Sequence, residues 1–136
     1  MQTELIEVET GHRESVANLT RPCERFAARA SGGGDGLLHL FVPHATAGLA
    51  IIEVGAHSDE DLLAALADLL PADRRWRHEH GSVGHGRSHV LPAFIAPFAS
   101  VPVLGGALAL GTWQSIVLVD VNVDNTVRNV RLSFLG

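Results

Sequence analysis

Lysine and tyrosine are absent from this 136-residue chain, and cysteine occurs once. Each absence removes a class of chemistry. Without lysine there is no Schiff-base nucleophile and no Walker-type phosphate ligand. Without tyrosine, acid–base work falls to His, Asp, Glu or Arg-assisted water. The single Cys23 permits neither an intrachain disulfide nor a multi-cysteine zinc site. Its apolar, helix-like surroundings read as those of a buried structural thiol, since a catalytic thiolate needs an electropositive and partly exposed setting. All the basic residues are arginines, the formal net charge is −5, and the only basic cluster is Arg74, Arg75 and Arg77. That distribution argues against nucleic-acid binding. No stretch reaches the run of about 18 apolar residues that a membrane helix needs. The acidic, alternating N-terminus MQTELIEVET does not read as a signal peptide. A soluble, cytoplasmic protein is the expectation.

What is present suits one globular α+β domain spanning residues 1–136, with 46% hydrophobic and 18% charged residues. Period-two alternation predicts a strand over Thr3–Thr10 and a short extended run over Ser15–Leu19. Thr20 is placed to cap a helix beginning near Arg21–Pro22 and ending at the glycine-rich turn 31–36. Strands are expected over Leu37–Val42 and Gly48–Val54. A helix over Asp59–Leu70 follows from the spacing of Leu62, Leu63, Leu66, Leu69 and Leu70, with Pro71 as its stop. A short helix between His89 and Phe98 is limited by Pro92 and Pro97. The remainder reads as strands at Ser100–Leu104, Ala107–Leu110, Trp113–Val123 and Val127–Leu135, the last two joined as a hairpin by 124–126.

Eight histidines are an excess for this length, and four of them fall in the twelve residues His78-Glu-His80 … His85-Gly-Arg-Ser-His89. Neutral imidazole is a common ligand of zinc-like ions, and three such ligands leave a coordination position open. His85 lies in the polar, glycine-containing stretch 71–88, and His89 directly follows it. His44, at the kink Pro43-His44-Ala45 where a strand ends, is a candidate third ligand from a distant part of the chain. The same spacing also suits a solvated histidine-rich loop, and His78 or His80 is an alternative ligand. Glu53, closing an apolar strand, suits a general base or a carboxylate that orients a ligating imidazole, and equally a strand end facing water. Gln114, in Gly111-Thr112-Trp113-Gln114, suits orientation of a polar substrate or a simple turn. Arg128 is a candidate phosphate contact or a surface cation. The run 32–36 lacks a following helix and a Lys or Ser/Thr partner, which excludes a phosphate loop.

In chain order, Pro43-His44-Ala45-Thr46-Ala47, Ile52-Glu53-Val54, Trp76-Arg77-His78, Ser88-His89-Val90, Gly111-Thr112-Trp113-Gln114 and Asp120-Val121-Asn122 … Arg128-Asn129 are present. Together they resemble the YjbQ family, the secondary thiamine-phosphate synthases. Gly-Thr-Trp-Gln and the His44/His89 pair are the most specific parts of the match. The resemblance implies an α+β fold with a mixed or antiparallel sheet and two to three helices, assembled as a homotrimer with sites near subunit contacts. It also implies a divalent metal or phosphate-type ligand held by the matching histidines. The associated activity joins a pyrimidine pyrophosphate to a thiazole phosphate. This chain departs from the pattern where it has His85 in place of an acid, Leu91-Pro92-Ala93 in place of Lys-Ser-Ser, and Asp120-Val121-Asn122 in place of Glu-His-Arg. Loss of that Lys and that Arg removes two charge-assisted phosphate contacts. The acid-to-His change turns a mixed ligand set into a histidine set, which favours zinc or another transition metal over magnesium. The expected site is a divalent metal held by His44, His85 and His89, with Glu53, Gln114 and Arg128 as catalytic residues and a small phosphorylated or polar ligand. The alternative is a non-catalytic homotrimer that binds metal or ligand.

Overall fold

The computed structural model describes residues 1–136, which fold into eight strands and three helices. The strands are β1 (Gln2–Glu9), β2 (Ser15–Asn18), β3 (Gly36–Phe41), β4 (Ala47–Ile52), β5 (Phe98–Leu104), β6 (Ala107–Leu108), β7 (Ser115–Asp120) and β8 (Val127–Leu135). The helices are α1 (Thr20–Ser31), α2 (Ser58–Leu69) and the single turn α3 (His85–Ser88), with a 3₁₀ turn at Leu91–Ala93. Two sheets form, with orders β1-β8-β3-β5-β6 and β2-β7-β4, and every pairing is antiparallel. The α+β expectation holds, and of the mixed or antiparallel sheet expected, the antiparallel form is the one present.

Alternation along the strands decides how the layers stack. Leu38, Leu40, Val101, Val103, Val130, Leu132 and Phe134 project from the inner face of the five-stranded sheet into the main core. There they meet Cys23, Phe26, Ala27 and Ala30 of α1 and Ala47, Leu49, Ile116 and Leu118 of the smaller sheet. Val117, Val119 and Val121 point the other way, into a second core with Leu66, Leu70 and Leu91. β7 is therefore buried on both faces, which is why its sequence is a continuous apolar run and not an alternation. Each fully buried Leu or Ile here contributes about 1.5–3 kcal/mol relative to an exposed one. Cys23 is buried, and burial, helped by Glu24, raises its thiol pKa to about 12, as an inert packing residue requires.

Four local expectations are corrected. Trp113–Val123 and Val127–Leu135 do not form a hairpin, because β7 and β8 belong to different sheets and the 121–126 segment carries the chain between layers. The helix expected between His89 and Phe98 is reduced to the 3₁₀ turn Leu91–Ala93, since Pro92 and Pro97 remove backbone donors, and the single turn α3 precedes it. Thr20 begins α1 but does not cap it: its hydroxyl accepts from the Ile116 amide at 3.0 Å. β4 starts at Ala47, where Gly48 is required because a Cβ would stand 2.1 Å from the Ile95 carbonyl oxygen. That close approach lets the Leu49 amide donate to Ala96 at 2.8 Å, docking the segment after α3 onto the sheet. No helix is long and apolar enough to cross a membrane.

Candidate metal centre

The segment between α2 and α3 is polar, but it is packed and not a free loop. The Trp76 indole donates to the Pro71 carbonyl at 2.8 Å. The buried Arg87 side chain donates to the Leu70 carbonyl at 3.1 Å and pairs with Glu14, tying α3 to the end of α2 and to the β1–β2 connection. Gly81 has a φ of +75°, and a Cβ there would lie 2.6 Å from Asp124 Oδ2. Only glycine lets the chain pass so close to that carboxylate.

This packing brings the imidazoles of His78, His80, His85 and His89 together, with one ligand nitrogen from each lying within 4.8 Å of the others. His85 is buried and His89 half-buried, whereas His78 and His80 are exposed. The Nε2 atoms of His85 and His89 are 3.1 Å apart, and those of His78 and His80 also face one another. Four nitrogens at the corners of a tetrahedron about a zinc-sized ion are separated by about 3.3 Å, given metal–nitrogen bonds of about 2.0–2.1 Å. The His85–His89 spacing matches that edge, and the donor set consists entirely of imidazoles.

The electrostatics keep His89 ready to ligate. Burial, reinforced by the neighbouring His78, His85 and His80, holds the His89 pKa below its ordinary value. His89 therefore stays neutral, the form that offers a lone pair. Asp124 lies on the far side of His85: its Oδ2 is 2.6 Å from His85 Nδ1, and it also accepts from the Ser82 amide at 3.1 Å and the Ser82 hydroxyl at 3.0 Å. The Ser82 amide, with help from His85, holds the Asp124 carboxyl below its usual range. An ionised Asp124 accepts a hydrogen bond from Nδ1–H and leaves Nε2 unprotonated, with its lone pair free to ligate, the second-layer arrangement typical of metal-bound histidine.

The other expected residues lie elsewhere. His44 is not in the four-histidine group: its Nε2 accepts from the Asn129 amide at 2.9 Å, and its charged neighbours are Arg128 and Asp120. Arg128 is neither a surface cation nor free for phosphate. It is 2% exposed, pairs with the fully buried Asp120 at 2.6 Å and donates to Thr46 Oγ1 at 2.8 Å. Glu53 lies exposed just beyond β4 and outside the histidine group. Gln114 is exposed, and its Oε1 accepts from the Gly111 amide at 2.8 Å, closing a turn. Of the three expected metal ligands, the structure brings together His85 and His89 and supplies His78 and His80 in place of His44. Sequence reading missed Asp124, which it treated only as a turn residue; no local signal marks a carboxylate that folding carries to His85 from 39 positions away.

Comparison with known proteins is consistent across the whole length. Residues 4–136 match the family described as UPF0047 protein YjbQ-like. The UPF0047 protein Rv2556c of Mycobacterium tuberculosis is 56% identical over 135 residues, covering 99% of this chain and 98% of that protein. YugU of Bacillus subtilis is 29% identical, covering 96% and 97%. Among solved structures, a YbjQ-like protein of unknown function from Sulfolobus solfataricus superposes with a TM-score of 0.91 at 27% identity, covering 99% of this chain and 96% of that one. The hypothetical protein APE1520 of Aeropyrum pernix gives 0.88 at 33% identity, covering 100% and 99%. The chain belongs to the YjbQ-like UPF0047 family.

Proposed function

We propose that this protein binds a divalent transition metal through His78, His80, His85 and His89. The observation that carries the reading is the convergence of four imidazole nitrogens within 4.8 Å, one of them backed by a carboxylate. An all-imidazole set suits zinc, copper or nickel and offers magnesium none of the oxygen ligands it needs. When bound, such an ion would polarise an oxygen ligand and acidify a coordinated water. His85, which is buried, and His89, which is half-buried, form the fixed half of the site. His78 and His80, on the exposed strap before α3, are the half that can yield a position to an incoming ligand. The test is titration of chelator-treated protein with Co²⁺ and Zn²⁺. One ion per chain is expected, with uptake lost in His89→Ala. Absence of stoichiometric binding overturns the reading.

A second reading, transfer chemistry on a phosphorylated substrate of the thiamine-phosphate synthase kind, is favoured by one observation. A cavity of about 170 Å³ adjoins His78, and Arg74, which forms no ion pair, lies on its wall. Against it, Arg128 is committed to Asp120. Incubation with the pyrimidine pyrophosphate and thiazole phosphate separates the readings. Turnover abolished by His89→Ala supports the enzyme, whereas metal uptake without turnover supports a binding protein.

We further propose that copies of the chain associate through the outer face of the five-stranded sheet, as the homotrimer that the family resemblance implies. Register places Leu5, Arg131, Phe41 and Phe98 in one row across β1, β8, β3 and β5. Leu135, Leu37 and Pro102 form a second row. Phe98 is 55% exposed and Phe41 42%, an apolar surface of the kind that marks association sites. Light scattering should give three chains per particle, and Phe41→Glu with Phe98→Glu should give monomers. A monomeric native protein overturns the proposal.

A further inference from the structure

The turn after β7 contains a ladder of three alternate side chains. Asp120 Oδ1 accepts from the Asn122 amide at 2.8 Å, and Asn122 Oδ1 accepts from the Asp124 amide at 2.9 Å. Asp124 Oδ2 then meets His85 Nδ1 at 2.6 Å. The base of the ladder is rigid, because Asp120 is fully buried and held by Arg128. Asn122 is 2% exposed, and its side-chain amide donates to Thr46 Oγ1 at 3.3 Å and to Asn125 Oδ1 at 2.7 Å. Two acceptors on one side and an N–H on the other fix which end of that amide is oxygen. Asn122 has no freedom to rotate without leaving buried groups unpaired.

Resting on the metal reading above, we propose that Asn122 is a positioning residue. It anchors the Asp124 backbone to the buried Asp120–Arg128 pair, so that the Asp124 carboxylate holds the His85 ring with Nδ1 protonated and Nε2 aimed at the ligand cluster. Asp124 is itself a turn residue partly open to water, and Ser82 and His85, which it contacts, belong to the strap and to the α3 turn that it organises. Asn122 supplies a link from that turn to the sheet. An alanine at 122 leaves Asp124 free to swing toward solvent, whereupon the His85 ring can exchange tautomers.

The test uses the full chain in three forms: native, Asn122→Ala and Thr46→Val. Thr46→Val removes a buried hydrogen bond from the same network but leaves the Asn122 Oδ1 to Asp124 link intact, so it controls for general loosening. Ring ¹⁵N shifts of His85 in metal-free protein report the tautomer. The native protein and Thr46→Val are expected to show the Nδ1–H form, and Asn122→Ala a mixture. Zinc affinity should fall by about tenfold or more in Asn122→Ala, the range seen when outer partners of ligating histidines are removed, and should stay near native in Thr46→Val. Asn122→Ser, whose hydroxyl can accept from the amide two positions on, should restore the Nδ1–H form. An unchanged tautomer and affinity in Asn122→Ala overturn the proposal. Should that variant not fold, hydrogen exchange at the Asp124 amide in native protein decides: slow exchange is expected, and free exchange overturns it. If native protein binds no zinc, the metal reading fails, while the tautomer measurement still tests the role of Asn122.

Discussion

His85 gives its two ring nitrogens to opposite sides: Nδ1 lies 2.6 Å from Asp124 Oδ2, and Nε2 lies 3.1 Å from Nε2 of His89. The carboxylate thus selects the tautomer whose lone pair joins the cluster. Asp124→Asn preserves size while replacing the charged acceptor, and is expected to weaken zinc binding by about ten- to a hundredfold. Competition against a chromophoric chelator measures this; native affinity in the variant removes Asp124 from the site.

The ligand set makes a second prediction. His44 Nε2 is occupied by the Asn129 amide, and the ring neighbours Arg128, not the histidine cluster. His44→Ala should therefore leave metal stoichiometry unchanged, whereas His85→Ala and His89→Ala should abolish high-affinity uptake. Metal analysis of the three purified variants is sufficient, and loss of uptake in His44→Ala would return that residue to the ligand set.

Acidification should expose His44 in a different way. Burial, then Arg128, hold its pKa below the ordinary histidine value of 6.5, against an opposing pull from Asp120. Below pH 6.5 the unfolded chain takes up a proton on this ring that the folded chain still refuses. The stabilisation is therefore complete above pH 6.5 and is lost as pH falls through the lower folded value. His89, shifted in the same direction, adds a slope of the same sign. Urea midpoints of metal-free protein between pH 7.5 and 5 should fall, and His44→Gln should show a shallower fall than native. Equal slopes would remove the His44 contribution.

The Asp120–Arg128 pair is buried on both sides. Removing one partner leaves an uncompensated interior charge, a change that costs about 3–5 kcal/mol. Asp120→Ala is expected to lose that much in equilibrium urea unfolding. A loss below about 1 kcal/mol, the range of exposed pairs, would show that water reaches Arg128 in solution.

Much of the fold was legible in local pattern. The alternation of β1, the leucine spacing of α2 and the apolar run of β7 each report which faces are buried, because burial is set by side-chain periodicity. The crowding of histidines between 78 and 89 likewise marked the segment in which four imidazoles converge. Sequence could not place β7 and β8 in different sheets, since a short polar connection looks the same whether it turns a hairpin or crosses between layers. Nor could it separate His44 from His85 and His89, or join Asp124 and Asn122 to them. Those assignments depend on which backbone groups capture which side chains after folding. The Asn129 amide takes His44, Asp120 takes Arg128, and Asp124 is left to hold His85. Composition put imidazole in excess among the available ligands; the tertiary structure decided which imidazoles meet and which carboxylate backs them, because only packing sets distances between side chains.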